Sequence, residues 1–123
     1  MTVNSQGQFF TDSRRLKIIL SNLISNAIKY HSVRKENPFI EVKVECDSRK
    51  AVIRIIDNGS GIEEKHHENI FKMFYRGNEN TKGSGLGLYI VKETVEKIQG
   101  SILVSSTVGK GSEFVITLPS LKE

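Results

Sequence analysis

Cysteine, proline and tryptophan are scarce in this sequence, and the shortage of cysteine narrows the kinds of protein it can encode. Cys46 is the single cysteine among 123 residues, which excludes an internal disulfide and leaves no second thiol for a metal centre. A reducing, cytoplasmic compartment is therefore expected. No apolar run is long enough to span a bilayer, and the first residues do not form a secretory signal. We expect no direct membrane contact from this chain, while a longer parent protein is free to be membrane-anchored.

Charge of one sign is not concentrated in any segment. The 18 basic and 14 acidic residues give a net charge of +4, and the basic residues are scattered without interleaved aromatic side chains. This balance permits a phosphate-bearing partner but argues against nucleic acid, which usually requires a basic patch. A nucleic-acid-binding domain stays open only as the alternative that a basic composition suggests by itself.

The length corresponds to one domain, which we assign to residues 1–123. Because the first strand-like residues look cut short, we expect the chain to be a piece of a longer protein. Residues 1–8 are polar and are expected to be frayed, with Phe9 and Phe10 as the remnant of a strand.

Two helices are predicted from the spacing of apolar residues. Residues 16–30 repeat apolar side chains at helical spacing, and residues 11–13 offer oxygens for the N-cap. A second helix begins near Gly85 or Gly87 and ends at Gly100, because glycine is favoured just after a helix. The buried positions expected on this second helix are Leu88, Val91, Val95 and Ile98.

Four strands are predicted from alternating apolar and polar residues, at residues 40–46, 51–57, 101–107 and 113–118. Short turns join them in pairs, which predicts antiparallel pairing with the helices on one face of the sheet. Residues 63–75 are expected to form one or two short helices before a glycine-rich loop. The predicted fold class is α+β, a two-layer sandwich whose mixed, mainly antiparallel sheet is covered on one face by helices.

The first helix carries a polar stripe beside its apolar one. Asn22, Asn26 and Lys29 recur at i, i+4 and i+7 and therefore lie above one another. Asparagine is an indifferent helix former because its amide competes for backbone hydrogen bonds. The stripe indicates either a polar ligand lying along the helix or an ordinary solvated face, and the helix by itself does not decide between them.

Two glycine-rich segments carry the remaining chemistry. Asp57 shares the core-facing side of a strand with Ile55, where a carboxylate is costly unless it is hydrogen-bonded. Gly83, Gly85 and Gly87 lie where a loop becomes a helix, a place where backbone amides can approach an anion. The spacing matches neither the dinucleotide fingerprint nor the P-loop. Alone, this glycine pattern is more often a flexible turn than a phosphate site.

The order of these segments along the chain is more specific than any one of them. An asparagine-bearing helix is followed by Asp57-Asn-Gly59-Ser-Gly61, by Phe71 and Phe74, and by the glycine-rich loop. With Gly109-x-Gly111 before the last strand, the set resembles the ATP-binding catalytic domain of sensor histidine kinases. That domain belongs to the gyrase, Hsp90, histidine kinase and MutL superfamily. The resemblance covers residues 12–119 and implies a Bergerat-type fold.

The resemblance implies a role for each matching residue. Asn26 would bind the Mg²⁺ that bridges the phosphates of ATP, and Lys29 would contact phosphate, which makes these two the catalytic candidates. Asp57 would accept a hydrogen bond from the adenine amino group, with Ser112 supporting it directly or through water. The glycine-rich loop would be the lid over the phosphates. The nucleotide-binding residues implied in this way are Asn22, Asn26, Lys29, Tyr30, Asp57, Gly59, Gly61, Ile62, Phe74, Arg76, Lys82, Gly83, Gly85, Leu86, Gly87, Leu88 and Ser112.

The same resemblance separates phosphoryl transfer from hydrolysis. Hydrolytic members of the superfamily carry a glutamate four residues before the magnesium-binding asparagine, and here that residue is Asn22, which cannot act as a base. The implied function is donation of the γ-phosphate to a histidine on a separate dimerisation domain, and through it to a response regulator in a two-component phosphorelay. Open alternatives are a serine-directed kinase of the anti-sigma-factor type and a non-catalytic nucleotide-binding module.

No histidine of this chain is expected to accept the phosphate. His31 is followed by serine rather than by the acidic residue typical of the acceptor. His66 and His67 are adjacent, lack partners at metal spacing and are expected to be surface residues.

Overall fold

Helices cover one face of a five-stranded sheet in the computed structural model of the chain, which describes residues 2–29, 37–72 and 86–121. The elements in chain order are β1 Thr2–Ser5, α1 Ser13–Lys29, β2 Ile40–Cys46, β3 Lys50–Asp57, the short 3₁₀ helix Glu64–His66, α2 Gly87–Lys97, β4 Ser101–Thr107 and β5 Gly111–Pro119. The strand order is β1-β2-β3-β5-β4, with β1 parallel to β2 and the other neighbours antiparallel. The predicted α+β sandwich with a mixed, mainly antiparallel sheet is confirmed.

The core lies between the two helices and the inner face of the central strands. Ile19 and Leu23 of α1 pack against Ile55 of β3 and Ile116 of β5, and all four side chains are fully buried. Val91, on the predicted apolar face of α2, joins the same cluster. The two apolar stripes therefore meet one common sheet face, as their helical spacing predicted.

The helix α1 begins where the sequence offers an N-cap oxygen. Asp12 Oδ1 accepts the backbone N–H groups of Arg14 at 3.0 Å and Arg15 at 3.1 Å. These bonds satisfy two of the first amides of the helix, which have no partner within the helix itself. The cap fixes the point from which α1 runs across the sheet to Lys29.

The N-terminal segment differs from its prediction. Residues 1–8 were expected to be frayed and Phe9–Phe10 to be strand, but β1 comprises Thr2–Ser5 and pairs in parallel with residues 43–46 of β2. All four residues of β1 are exposed. A strand without a buried face has no alternation in its sequence, so only its distant partner β2 could have revealed it.

The end of α2 also differs from its prediction. The helix ends at Lys97, and the residue with the positive φ is Gln99 (φ 62°) rather than Gly100. Gly100 is required for another reason, because a Cβ there would lie 2.6 Å from the carbonyl oxygen of Thr117 and 2.7 Å from a methyl group of Leu118. The glycine lets the chain turn closely against β5.

One edge of the sheet is formed by β4. Its helix-facing residues Ile102 and Val104 pack against the core, whereas Leu103 on the other face is 69% exposed.

Within the described part of the chain, no helix is long and apolar enough to cross a membrane.

Candidate functional site

An open cleft of about 330 Å³ lies between the C-terminal turn of α1 and the loop that follows β3. Ala27 and Ile28 line it from α1, residues 38–40 from the approach to β2, and residues 57–59 from the loop. Small-molecule pockets in proteins are usually of this size, about 300–1,000 Å³, and are mostly apolar with a few polar groups. The cleft is therefore large enough for a flat heterocycle.

Asp57 supplies the carboxylate in this cleft. It ends β3 on the same face as Ile55 and is 7% exposed, and its Oδ1 accepts the backbone N–H of Gly59 at 2.9 Å. Burial raises the pKa of Asp57 above its ordinary value, and the N–H groups of Gly59 and Ser112 oppose that rise. A buried acceptor of this kind is suited to a ligand that brings its own N–H donor.

Two glycine turns pack against each other beside Asp57. Gly61 has φ +78°, and a Cβ there would collide with the carbonyl group of Thr107. Gly111 has φ +122°, and a Cβ there would collide with the carbonyl oxygen of Asp57. Gly109 N–H donates to the Ser60 carbonyl at 2.9 Å and closes the contact. The turn between β4 and β5 thus packs against the loop after β3 and holds it in position.

Ser106, which sequence reasoning missed, connects these turns. Its Oγ accepts the Ile62 N–H at 2.7 Å, donates to the Gly111 carbonyl at 2.9 Å and lies 2.9 Å from Ser112 Oγ. The Ser112 hydroxyl, predicted to support Asp57 directly or through water, is the one that lies next to Ser106, and the main-chain N–H of Ser112 lowers the pKa of Asp57. A small polar residue at position 106 gives no signal in the sequence, because its partners lie on other elements.

His67 is not a plain surface residue, contrary to expectation. Its side chain is half-buried, and Nε2 lies 3.0 Å from the carbonyl oxygen of Ile62. Ile62 also packs against the core. The histidine therefore helps to anchor the end of the loop that carries Asp57.

The polar stripe of α1 begins beside the start of α2, and neighbouring residues of the same helix line the cleft. Asn22 Nδ2 donates to the Ile18 carbonyl at 2.8 Å, and Asn22 Oδ1 lies 3.5 Å from the position that a Cβ on Gly87 would occupy. Asn26, one turn further, is half-buried, and the next residue, Ala27, already lines the cleft. From Asn22 to Ala27 the helix rises about 7.5 Å. Helix α1 therefore borders both the cleft and the N-terminus of α2.

The N-terminus of α2 suits an anion. The helix begins at Gly87 after Leu86, a residue without a side-chain oxygen to cap its first amides. The positive end of the helix dipole therefore lies next to Asn22, where backbone N–H groups can receive negative charge. Leu88, a predicted nucleotide-binding residue, is half-buried and packs against the core.

The remaining predicted residues are an exposed lysine, a phenylalanine that packs against the core, and undescribed positions. Lys29 is the last residue of α1 and is exposed. Phe71 packs edge-on against Phe114, with ring centroids 6.3 Å apart, and Lys92 Nζ lies 5.8 Å from the Phe71 centroid. Phe71 is therefore a partly buried residue that packs against the core. Six predicted nucleotide-binding residues lie outside the described part of the chain, namely Tyr30, Phe74, Arg76, Lys82, Gly83 and Gly85.

The predicted magnesium ligand is the side-chain amide of Asn26 on α1. The described ranges hold no group of three or more histidine, cysteine, aspartate or glutamate side chains at metal spacing. Mg²⁺ commonly keeps several water ligands and takes others from substrate phosphates. The amide oxygen of Asn26, one helical turn after Asn22, is a donor of the kind that such an ion prefers.

Two curated proteins are similar to this chain in sequence. The chain is 41% identical over 113 residues to cyanobacterial phytochrome B of Nostoc sp. (strain PCC 7120 / SAG 25.82 / UTEX 2576), covering 89% of this chain and 15% of that protein. It is 37% identical over 114 residues to the sensor protein SrrB of Staphylococcus aureus (strain NCTC 8325 / PS 47), covering 88% and 19%. The chain thus spans less than a fifth of these relatives.

Solved structures show the same fold. The mycobacterial sensor histidine kinase MprB matches with a TM-score of 0.79 and 29% identity, covering 97% of this chain and 82% of that one. Full-length ShkA in complex with AMPPNP matches with a TM-score of 0.80 and 25% identity, covering 97% and 25%.

The family assignment rests on nearly the whole chain. Residues 11–122 match the family described as "Histidine kinase-, DNA gyrase B-, and HSP90-like ATPase". The match includes both helices, β2 to β5 and the cleft between α1 and Asp57. The chain belongs to the histidine kinase-, DNA gyrase B- and HSP90-like ATPase family.

Proposed function

We propose that this chain is the ATP-binding catalytic domain of a sensor histidine kinase, which binds Mg·ATP and donates the γ-phosphate to a histidine on a separate dimerisation domain. The observation that carries the proposal is the buried carboxylate of Asp57 in an apolar cleft beside the asparagine-bearing helix. The response regulator that receives the phosphate next, and a cytoplasmic location, belong to the same proposal.

In this proposal, the base and the triphosphate of the nucleotide lie at opposite ends of the site. Adenine lies in the cleft, where its amino group donates to Asp57 and its ring lies against the backbone of Gly59 and Gly61. The triphosphate follows α1 towards the N-terminus of α2. Asn26 holds the metal ion, and Lys29, at the last turn of α1, contacts phosphate.

The chain promotes transfer by position and charge rather than by a base. Asn22 occupies the position of the hydrolytic glutamate and has no proton-accepting group of useful pKa. Phosphoryl transfer needs mainly alignment of the phosphate and neutralisation of its charge. Bound Mg²⁺ supplies much of that neutralisation. The nucleotide complex of ShkA, a protein of the same fold, supports the assignment to ATP.

Calorimetric titration with a non-hydrolysable ATP analogue, with and without Mg²⁺, tests the binding step. We expect binding that strengthens with Mg²⁺, and we expect Asn26→Ala to lose the magnesium dependence. The chain would have to be assigned another role if no nucleotide binds.

Incubation with radiolabelled ATP and a supplied histidine-bearing dimerisation domain tests the transfer step. An acid-labile, base-stable phosphate on that domain supports histidine phosphorylation. An acid-stable phosphate on a serine substrate would favour the serine-directed alternative, and binding without any transfer would favour the non-catalytic module.

A further inference from the structure

We propose that Asn58 is a positioning residue for the nucleotide base. Its side chain holds residues 37–39 in place as the outer wall of the cleft, and through that wall Phe39 presents apolar surface to the base. The inference rests on the proposed function, because it names two further determinants of the same nucleotide site.

The side-chain amide of Asn58 is used at both of its ends. Its Oδ1 accepts the backbone N–H of Phe39 at 2.8 Å, and its Nδ2 donates to the backbone carbonyl of Asn37 at 2.9 Å. One side chain therefore satisfies a donor and an acceptor on a segment about twenty residues away in sequence. These two hydrogen bonds satisfy backbone groups of residues 37 and 39 just before β2 begins, in place of the bonds that a neighbouring strand would make.

The segment that Asn58 holds is part of the cleft. Pro38, Phe39 and Ile40 line it, and Ile40 is the first residue of β2, opposite Asp57 in the register. Pro38 has a fixed φ and disfavours a helical conformation at the residue before it. The wall is thus stiff at its centre and tied to Asn58 on either side.

A second apolar surface lines the cleft together with residues 37–39. Phe39 is 49% exposed, and Ile28 on the last turn of α1, 57% exposed, lines the same cavity. Exposed apolar side chains that converge on a concavity are typical of ligand sites rather than of ordinary surface. A planar base between them would cover both, while Asp57 reads its polar edge.

The neighbouring residues Asp57 and Asn58, at the end of β3, therefore have different roles in the site. Asp57 faces the core side of the sheet and accepts a hydrogen bond from the ligand, whereas Asn58 turns to residues 37–39 and sets the width of the cleft. Because the hydrogen bonds of Asn58 already hold residues 37–39 in place, less conformational entropy is lost when a ligand binds.

The test compares Asn58→Ala with Asn4→Ala in calorimetric titration of a non-hydrolysable Mg·ATP analogue. Asn4 is a matched control, because it is an exposed asparagine on β1 whose side chain also accepts one local hydrogen bond, from Gln6. We expect Asn58→Ala to raise the dissociation constant about tenfold, in line with the usual net contribution of such hydrogen bonds. Asn4→Ala should leave it unchanged.

Hydrogen exchange of the Phe39 amide, followed by NMR, separates positioning from general destabilisation. That N–H should be protected in the unmodified chain, lose protection in Asn58→Ala and keep it in Asn58→Asp, which retains the acceptor oxygen. Amides of β3 and β5 should keep their protection in every variant. Equal loss of protection throughout the sheet in Asn58→Ala would overturn the inference.

Phe39→Ala tests the apolar surface, with Phe39→Leu as its conservative control. We expect a weakening of analogue binding by about tenfold in the alanine variant and by less than about threefold in the leucine variant. If the unmodified chain binds no nucleotide, the proposed function fails and this inference fails with it. If the unmodified chain binds and Asn58→Ala binds equally well, this inference alone fails.

Discussion

At the scale of single residues, the site depends on a carboxylate placed where a charge is costly. Asp57 is nearly as buried as Ile53 and Ile55 on the same face of β3, and the backbone N–H groups of Gly59 and Ser112 compensate only part of the loss of water. A buried carboxylate of this kind costs free energy in the empty protein. A bound ligand that donates a hydrogen bond to it offsets that cost.

The first prediction concerns the pH dependence of nucleotide binding. Because burial raises the pKa of Asp57 above 3.8, the carboxylate of the free protein becomes protonated at a higher pH than an exposed aspartate would. Analogue affinity should fall as the pH falls through that raised pKa. Asp57→Asn removes the titrating group, so the ratio of its dissociation constant to that of the unmodified chain should shrink towards low pH. A constant ratio would exclude Asp57 from base recognition.

The raised pKa of Asp57 affects the free energy of unfolding in the opposite direction to nucleotide binding. The folded protein binds the Asp57 proton more tightly than the unfolded chain does, so this residue favours folding below the raised pKa. That contribution is complete below 3.8 and is lost over the pH window from 3.8 up to the raised pKa of the folded protein. Urea unfolding of Asp57→Asn against the unmodified chain across that window measures it.

The second prediction compares two glycines of one turn. Gly109 and Gly111 both have positive φ, but a Cβ on Gly109 meets no heavy atom within 4 Å, whereas a Cβ on Gly111 collides with the Asp57 carbonyl. Gly109→Ala should cost about 1–2 kcal/mol of unfolding free energy from backbone strain alone. Gly111→Ala should cost roughly 3 kcal/mol or more, since the backbone must move. Equal urea midpoints for the two variants would contradict the turn-on-turn contact.

At the scale of elements, α1 depends on its cap. Asp12→Ala removes the acceptor of two backbone N–H groups and should lower the unfolding free energy by about 0.5–2 kcal/mol. Asp12→Asn keeps the acceptor oxygen and should retain most of that stability. Chemical denaturation of both variants provides the measurement, and an equal loss in the two would show that charge, not capping, matters.

Elements with a repeating pattern were predictable, and elements defined by distant partners were not. α1 and α2 were found from apolar spacing, and the β3 residues Ile53 and Ile55 from alternation. β1 was missed because its partner is β2, more than thirty-five residues along the chain, and no burial pattern marks it. The positive φ of Gln99 was missed because glycine at position 100 appeared to be the natural helix stop.

At the scale of the whole molecule, the family was predictable from ordered motifs, whereas the connections between them were not. The match over residues 11–122 confirms the predicted ATPase family. Asn58 and Ser106 act across the fold on main-chain groups of Phe39 and Ile62, and such partners are invisible in a sequence. The roles assigned to Lys29 and Asn26 stay predictions.

The final binding prediction also belongs to this scale. A ligand that binds only the folded state adds about 2.7 kcal/mol of unfolding free energy at a concentration 100 times its dissociation constant. We expect the Mg·ATP analogue to raise the melting temperature of the unmodified chain, and to raise that of Asp57→Asn less at the same concentration. Thermal scans with and without the analogue measure both shifts, and equal shifts would contradict a role for Asp57.

The outer edge of β4 affects how the purified domain behaves in solution. From Ser101 to Thr107 this strand carries no charge and no proline, and Leu103 stands exposed on it. Edge strands in soluble proteins are usually protected from pairing with other chains by charged residues. Concentrated samples should therefore cluster through this strand, and Leu103→Lys should suppress the clustering in light scattering without altering nucleotide affinity.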